Sequence, residues 1–226
     1  DLNKLGIAGL LHDIGKVRIP KHILQSTDTL SRDELELLRS HPTIGRDILI
    51  AHTELHHSAA DVAYCHHETF NGSGYPRKIK ASGISDITRM IAICDIYQDI
   101  SVDHCYKKGR SSLQAMKILY QLRGSTLDEK LVQEFISCIG LYPPGSIVEL
   151  RSGEVGIVIS SNHRYRHLPK VLVLLARNKT PRREIVINLA ETVNIPLSEN
   201  IIKDLLPNGA FGIRVENYIK NGLILG

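Results

Sequence analysis

The chain has 226 residues, 42% of them apolar, and a net charge of +4. That is material for one large domain or two modest ones, with no apolar run of membrane length and no signal-peptide pattern. Its four cysteines (Cys65, Cys94, Cys105, Cys138) show no Cys-x-x-Cys spacing, which fits a reducing cytoplasm better than a disulfide framework.

The chain opens at Asp1 inside a helical pattern, so the expectation is a fragment, with an upstream membrane or sensor domain left open. Leu2, Leu5, Ala8 and Leu11 follow helical spacing that stops at Gly15. Ser31-Arg-Asp-Glu34 reads as a capping box opening a helix that runs until Pro42. A second helix carries Ile44, Ile48 and Leu49. "HHSAADVAYCHHE" is predicted as another, broken by "NGSGYP". "ITRMIAICDIYQDIS" is apolar on nearly every side and is expected to be buried. "SSLQAMKILYQLR" and "DEKLVQEFISCIG" read as amphipathic helices.

After "LYPPG" the pattern changes. "SIVEL", "EVGIVIS", "KVLVLLA" and "EIVINLA" are short β-branched runs between turn residues, with "RSGE" a hairpin turn. Charge changes with them. Residues 1–140 carry 17 basic and 17 acidic side chains, residues 141–226 carry 11 and 7, and nine of eleven histidines precede residue 105. The expectation is an α+β chain: a helical domain over residues 1–142, then a small β-barrel or rolled sheet over 143–226.

The chemistry gathers in the helical part. His12 and Asp13 in "LLHDIGK" are followed by His41 in "RSHPTIG", His66 and His67 in "YCHHE", and Asp95 in "AICDIY". A carboxylate in a run as apolar as that around Asp95 needs a cation or tight hydrogen bonds. Imidazoles and carboxylates without thiolate suit iron, manganese, nickel or zinc at a hydrolytic centre, not a closed structural zinc site. A carboxylate such as Asp13 can bridge two metal ions ~3.5–4 Å apart, and Lys16 could neutralise a phosphate oxygen. Any one of these histidines alone would read as a satisfied core or surface residue. His22, His52, His56, His57, His163 and His167 fit no such pattern and read as solvated.

In order and spacing, "HDIGK", "HPTIG", "HHE", "GSGYP" and "RMIAICD" resemble the HD-GYP family of metal-dependent phosphohydrolases, over residues 2–140. The resemblance implies a helical domain that hydrolyses a phosphodiester bond of a bacterial cyclic dinucleotide, chiefly cyclic di-GMP. It implies His12, Asp13, His41, His66, His67 and Asp95 as metal ligands, Asp13 and Lys16 as catalytic residues, and two or three divalent ions. Iron or manganese come first, then nickel or zinc. It further implies substrate contacts at Lys16, Gly74, Tyr75, Gln98, His104 and Lys107. Partners would be the cyclic dinucleotide itself and a diguanylate cyclase or other signalling proteins, with a homodimer open.

The match is incomplete. Asn71 stands where the family has aspartate, Gln98 replaces an aspartate and His104 an arginine that help hold the guanine end. Glutamine can meet a purine edge but supplies no carboxylate to guanine, so a preference for cyclic GMP-AMP, or a weakly active sensor or partner-binding module, stands as the alternative. A further rival is an HD phosphohydrolase acting on nucleotides such as guanosine tetraphosphate, against which "GSGYP" argues. Arg164, Arg166, Lys170, Arg177, Lys179, Arg182 and Arg183 form a basic run, but no interleaved aromatics support base stacking. A solvated face is expected there, with no specific nucleic-acid binding.

Overall fold

The computed structural model describes residues 2–52, 57–102, 109–162, 164–192 and 199–226. Two compact units divide the chain: Asp1–Arg110 with Ala115–Phe135, and Ser111–Gln114 with Ile136–Gly226. The architecture is α+β. Among the described residues no helix is long and apolar enough to cross a membrane.

The helical elements are α1 (Leu2–Leu11), a 3₁₀ turn (Ile14–Arg18), α2 (Lys21–Leu24), α3 (Arg32–Leu38), α4 (His41–Ile50), α5 (His57–Cys65), α6 (Asp86–Ser101), α7 (Ser112–Leu122) and α8 (Glu129–Ile139). The Ser31–Glu34 capping box forms as expected and starts α3. Where the predicted boundaries fail, they fail at the chemistry. α1 stops at Leu11, short of Gly15. α3 ends at Leu38, and Pro42 sits in the first turn of α4, where its missing N–H is no loss. α5 ends at Cys65. His12, Asp13, His66 and His67 therefore stand just past helix ends, and His41 begins a helix.

Small side chains let these ends converge. Ala8 of α1, Leu49 of α4, Ala59, Ala60, Val62 and Ala63 of α5 and Ile91 of α6 form one buried cluster. The alanines bring the backbones close without leaving voids. Asp61 of α5 ties in α6: its carboxylate accepts from the Ser85 hydroxyl at 3.0 Å and from the Thr88 hydroxyl at 3.3 Å. The expectation that α6 is buried all round is wrong. Thr88, Ile91, Ala92 and Ile93 are buried, while Met90, Cys94 and Gln98 form an exposed stripe at four-residue spacing. Apolar composition alone could not tell which side would be left uncovered.

The second unit holds β1 (Ile147–Leu150), β2 (Val155–Ser160), β3 (Lys170–Leu175), β4 (Pro181–Asn188), β5 (Ile202–Leu206) and α9 (Val215–Lys220). They form one antiparallel sheet in the order β4-β3-β2-β1-β5. Among the described residues the sheet is open, with β4 and β5 as its edges, so of the two expected forms, a barrel or a rolled sheet, the closed barrel is not formed. Arg182 and Arg183 on β4 and Lys203 and Asp204 on β5 put charge on those edges, which discourages further strand pairing. Both faces are covered. Ile147, Val155, Ile157 and Leu172 pack with Ile213 and Val215 of the C-terminal segment, while Val148, Leu150, Val158 and Val173 pack with Leu168 and Leu189. Part of the basic run is neutralised within the unit: Lys179 pairs with Glu149, Arg177 with Glu199 and Arg182 with Glu154.

Candidate metal centre

Two glycines set the distance between the first and second motifs. A Cβ on Gly15 would lie 2.0 Å from the His41 carbonyl oxygen and 2.6 Å from the Gly45 amide nitrogen. Only hydrogen at this position allows the 3₁₀ turn to lie on α4, which places His12 and Asp13 against His41.

Three histidines are then oriented in the same way. His12 Nδ1 lies 2.7 Å from the Gly9 carbonyl oxygen, and His41 Nδ1 lies 2.7 Å from that of Leu38. His66 Nδ1 lies 3.0 Å from the Ala63 and 3.1 Å from the Val62 carbonyl oxygen. A carbonyl can only accept, so each Nδ1 carries the proton and each Nε2 presents a lone pair. Imidazoles that ligate metals are usually held this way.

The lone pairs point at one another. His41 Nε2 and His66 Nε2 are 3.3 Å apart, and Asp13 Oδ1 is 3.3 Å from the first and 3.6 Å from the second. On its other side Asp13 Oδ2 lies 3.4 Å from His12 Nε2, which is 3.6 Å from Asp95 Oδ1. His12 Nε2 and Asp13 Oδ1 are buried without a hydrogen-bond partner. Electron-rich atoms do not gather in a buried place unless a proton or cation sits among them. Ligand atoms of His41, His66 and His67 lie within 4.8 Å of one another, as do those of His12, Asp13 and His66. The donor set fits a divalent cation.

Protonation follows the same logic. Burial alone would lower the pKa of His12, but contacts with Asp13 and Asp95 raise it to about 10, so that while no cation is bound a second proton takes the Nε2 lone pair a cation would otherwise use. Burial works against the Asp13 anion too, yet His12, His41, His66 and Lys16 hold its carboxyl well below the usual carboxylate range. His67 goes the other way. Burial, with His66 and His41 beside it, lowers its pKa to about 3 and keeps it neutral.

The residues named from sequence sort as follows. His12, Asp13, His41, His66, His67 and Asp95 come together, and Lys16 Nζ donates to Asp13 Oδ2 at 2.5 Å. Gly74 lies against the same turn: a Cβ there would be 2.4 Å from the His67 carbonyl oxygen. The Tyr75 ring stacks on His67 with centroids 4.7 Å apart, so part of the ring is engaged inside the protein. Gln98 is exposed one turn beyond Asp95 on α6. His104 and Lys107 lie outside the described residues. Asn71 does locally what an aspartate would: its Oδ1 accepts from the Ser73 amide at 3.0 Å and from the Ser73 and Thr69 hydroxyls.

Sequence reasoning gave no role to Glu68. Its side chain is buried, and its carboxylate accepts from the amides of Arg77 at 2.6 Å, Lys78 at 3.1 Å and Ile79 at 3.1 Å. It pins the chain leaving Gly74-Tyr75-Pro76 to the end of α5. Its place directly after the histidine pair was the available signal. Glu68→Ala would leave three amides without their acceptor. Urea unfolding should show a loss of about 2–3 kcal/mol, and an unchanged midpoint would refute the role.

The HD domain family model matches residues 1–131. A cyclic di-GMP phosphodiesterase of Pseudomonas aeruginosa is 36% identical over 189 residues, 83% of this chain and 45% of the relative. A probable cyclic di-GMP phosphodiesterase of Vibrio cholerae is 36% identical over 136 residues, 57% of this chain and 31% of the relative. A 3'3'-cGAMP-specific phosphodiesterase of Vibrio cholerae is 32% identical over 127 residues, 56% of this chain and 24% of the relative. The chain thus spans less than half the length of these relatives. With its motifs converging at one cluster of donors, the chain belongs to the HD domain family, in the HD-GYP branch.

Proposed function

We propose that the helical unit hydrolyses one phosphodiester bond of a bacterial cyclic dinucleotide, cyclic di-GMP first, to give a linear dinucleotide. The observation that carries this reading is Asp13, whose Oδ1 faces His41 and His66 while its Oδ2 faces His12 and Lys16. A carboxylate so placed suits two cations, one toward His41, His66 and His67, the other toward His12 and Asp95. Iron or manganese are the first candidates, nickel or zinc the next. The names of the relatives support catalysis over a ligand sensor.

Bound cations would supply Lewis acidity toward an oxygen of the diester and toward the attacking water. The chain's own residues do the rest. The Nδ1–H bonds to Gly9, Leu38, Val62 and Ala63 hold the imidazole planes before anything binds, so little reorganisation accompanies the reaction. Lys16 brings an ammonium to the edge of the cluster, where it can pass from Asp13 to an anionic oxygen of the substrate. Gly74 keeps the loop close to His67, and the Tyr75 hydroxyl remains a protonated donor because burial raises its pKa. Gln98, on the exposed side of α6, is the candidate for meeting a purine edge.

Protein purified without oxygen should contain iron or manganese by elemental analysis and cut cyclic di-GMP, with cyclic GMP-AMP assayed beside it. Metal-replete protein that leaves both uncut would defeat the proposal. Chelation should lower the rate by more than about 100-fold while helical circular dichroism persists, since the alanine-rich core contains no ligand. It should also lower stability, by about 2.7 kcal/mol for an ion present at ~100 times its Kd. Activity that survives full metal removal would point to another chemistry.

A further inference from the structure

We propose that Arg39 anchors the substrate by gripping the phosphodiester that is not being cut, a contact that rests on the function proposed above.

Arg39 is the residue after Leu38, whose carbonyl orients His41, and its own amide donates to Leu35 at the close of α3. Its backbone is therefore fixed beside the cluster. Its guanidinium lies over the Tyr75 ring, 5.4 Å from the centroid, and Tyr75 in turn stacks on His67. Arg39, Tyr75 and His67 form a short stack running outward from the cluster.

The side chain is exposed, and among the described residues no carboxylate pairs with it. Arg46 and Arg89 of the same unit are engaged, Arg46 with Asp47 and Arg89 with Asp128 and the Ala81 carbonyl, and Arg77 lies over the ring of Tyr64, not of Tyr75. A contact with an aromatic ring positions a guanidinium without using any of its N–H donors. Arg39 thus has a held position and a complete set of donors. That combination fits a ligand oxygen better than a structural role.

The arrangement also favours one part of the substrate over the other. The scissile phosphate belongs at the donors of His41, His66, His12 and Asp13. Between Arg39 and the proposed ligand His67 lies the Tyr75 ring, 5.4 Å from the guanidinium and 4.7 Å from the imidazole between centroids, so Arg39 stands one ring's thickness farther out than that ligand. A cyclic dinucleotide carries a second diester across its ring, and a planar fork of donors matches its two non-bridging oxygens.

The test compares Arg39→Ala and Arg39→Lys with the wild type in the metal-loaded protein. A phosphorothioate analogue of cyclic di-GMP serves for calorimetric binding, cyclic di-GMP for kcat and KM, and bis(p-nitrophenyl) phosphate as a substrate with a single diester. Arg39→Ala should raise the analogue Kd and the KM by about tenfold or more, with kcat, metal content and hydrolysis of the small diester unchanged. Arg39→Lys should recover only part of the loss, because a point charge replaces a fork. An unchanged Kd would overturn the assignment. So would an equal loss on both substrates, which would mean that Arg39 acts through Tyr75 and His67 on the cluster. Wild-type protein that neither binds the analogue nor cuts cyclic di-GMP would bring down the functional reading, and this contact with it.

Discussion

Asp13→Ala leaves a folded protein that has lost its cations and cuts cyclic di-GMP more than about 100-fold more slowly than the parent, a floor taken from the loss on removing a residue that merely supports a ligand. The reasoning starts from charge. Asp13 is the anion that faces His12, His41, His66 and Lys16 together. Without it, the Nε2 atoms of three oriented imidazoles remain, but the carboxylate between them is gone. Neutral imidazoles alone would have to hold divalent charge in a half-buried place, with only Asp95 to balance it.

Asp13→Asn should do nearly as badly. It keeps the shape but replaces one acceptor oxygen with an amide donor. The fold should survive both changes, because Asp13 lies outside the cluster of Ala8, Leu49, Ala59 and Ile91 that packs the helices. Elemental analysis and circular dichroism on the same preparation separate the two effects. Asp47→Ala is the control: that carboxylate is exposed and paired with Arg46, so its loss should stay within about 0.5 kcal/mol and leave the metal in place. Retention of metal and of most activity in Asp13→Ala would remove the site.

How much of this was legible beforehand depended on where the information sits. The grouping of His12, Asp13, His41, His66, His67 and Asp95 could be listed because each interrupts an apolar helical pattern where a polar group needs a reason. The way they meet could not be read. It depends on Gly15 touching α4 and on carbonyls of Gly9, Leu38 and Ala63 meeting the Nδ1 edges of the imidazoles, and a backbone carbonyl leaves no trace in residue type. Glu68 and Arg39 went unassigned for a similar reason. One faces backbone amides some ten residues on, and the other faces a ring in a different segment.

In the second unit, β1 to β4 were visible as β-branched runs. β5 was not, because Ile202-Lys-Asp-Leu-Leu206 neither alternates cleanly nor forms an apolar run. The open sheet followed from charge on both edges, which a list of strands does not reveal. On α6, apolar composition marked the segment but could not say which side stays exposed, and Gln98 lies on that side.

Gly15→Ala should do more damage to the helical unit than a single methyl group suggests. The new Cβ would have to occupy space 2.0 Å from the His41 carbonyl oxygen and 2.9 Å from its carbon. Both belong to backbone in the first turn of α4, so no flexible side-chain end can swing away. The 3₁₀ turn must instead lift from the helix. Overpacking against an unyielding neighbour costs about 3 kcal/mol or more, and that lowers the thermal midpoint by roughly 6–12 °C in a protein of this size. The displacement also moves His12 and Asp13 away from His41, so metal content should fall with stability. Gly6→Ala supplies the contrast within the same segment. Its Cβ would meet nothing within 4 Å on α1, and a helical glycine replaced by alanine gains about 0.5–1 kcal/mol. If both substitutions shift the midpoint in the same direction, the close approach of Gly15 to α4 is not what brings the first two motifs together.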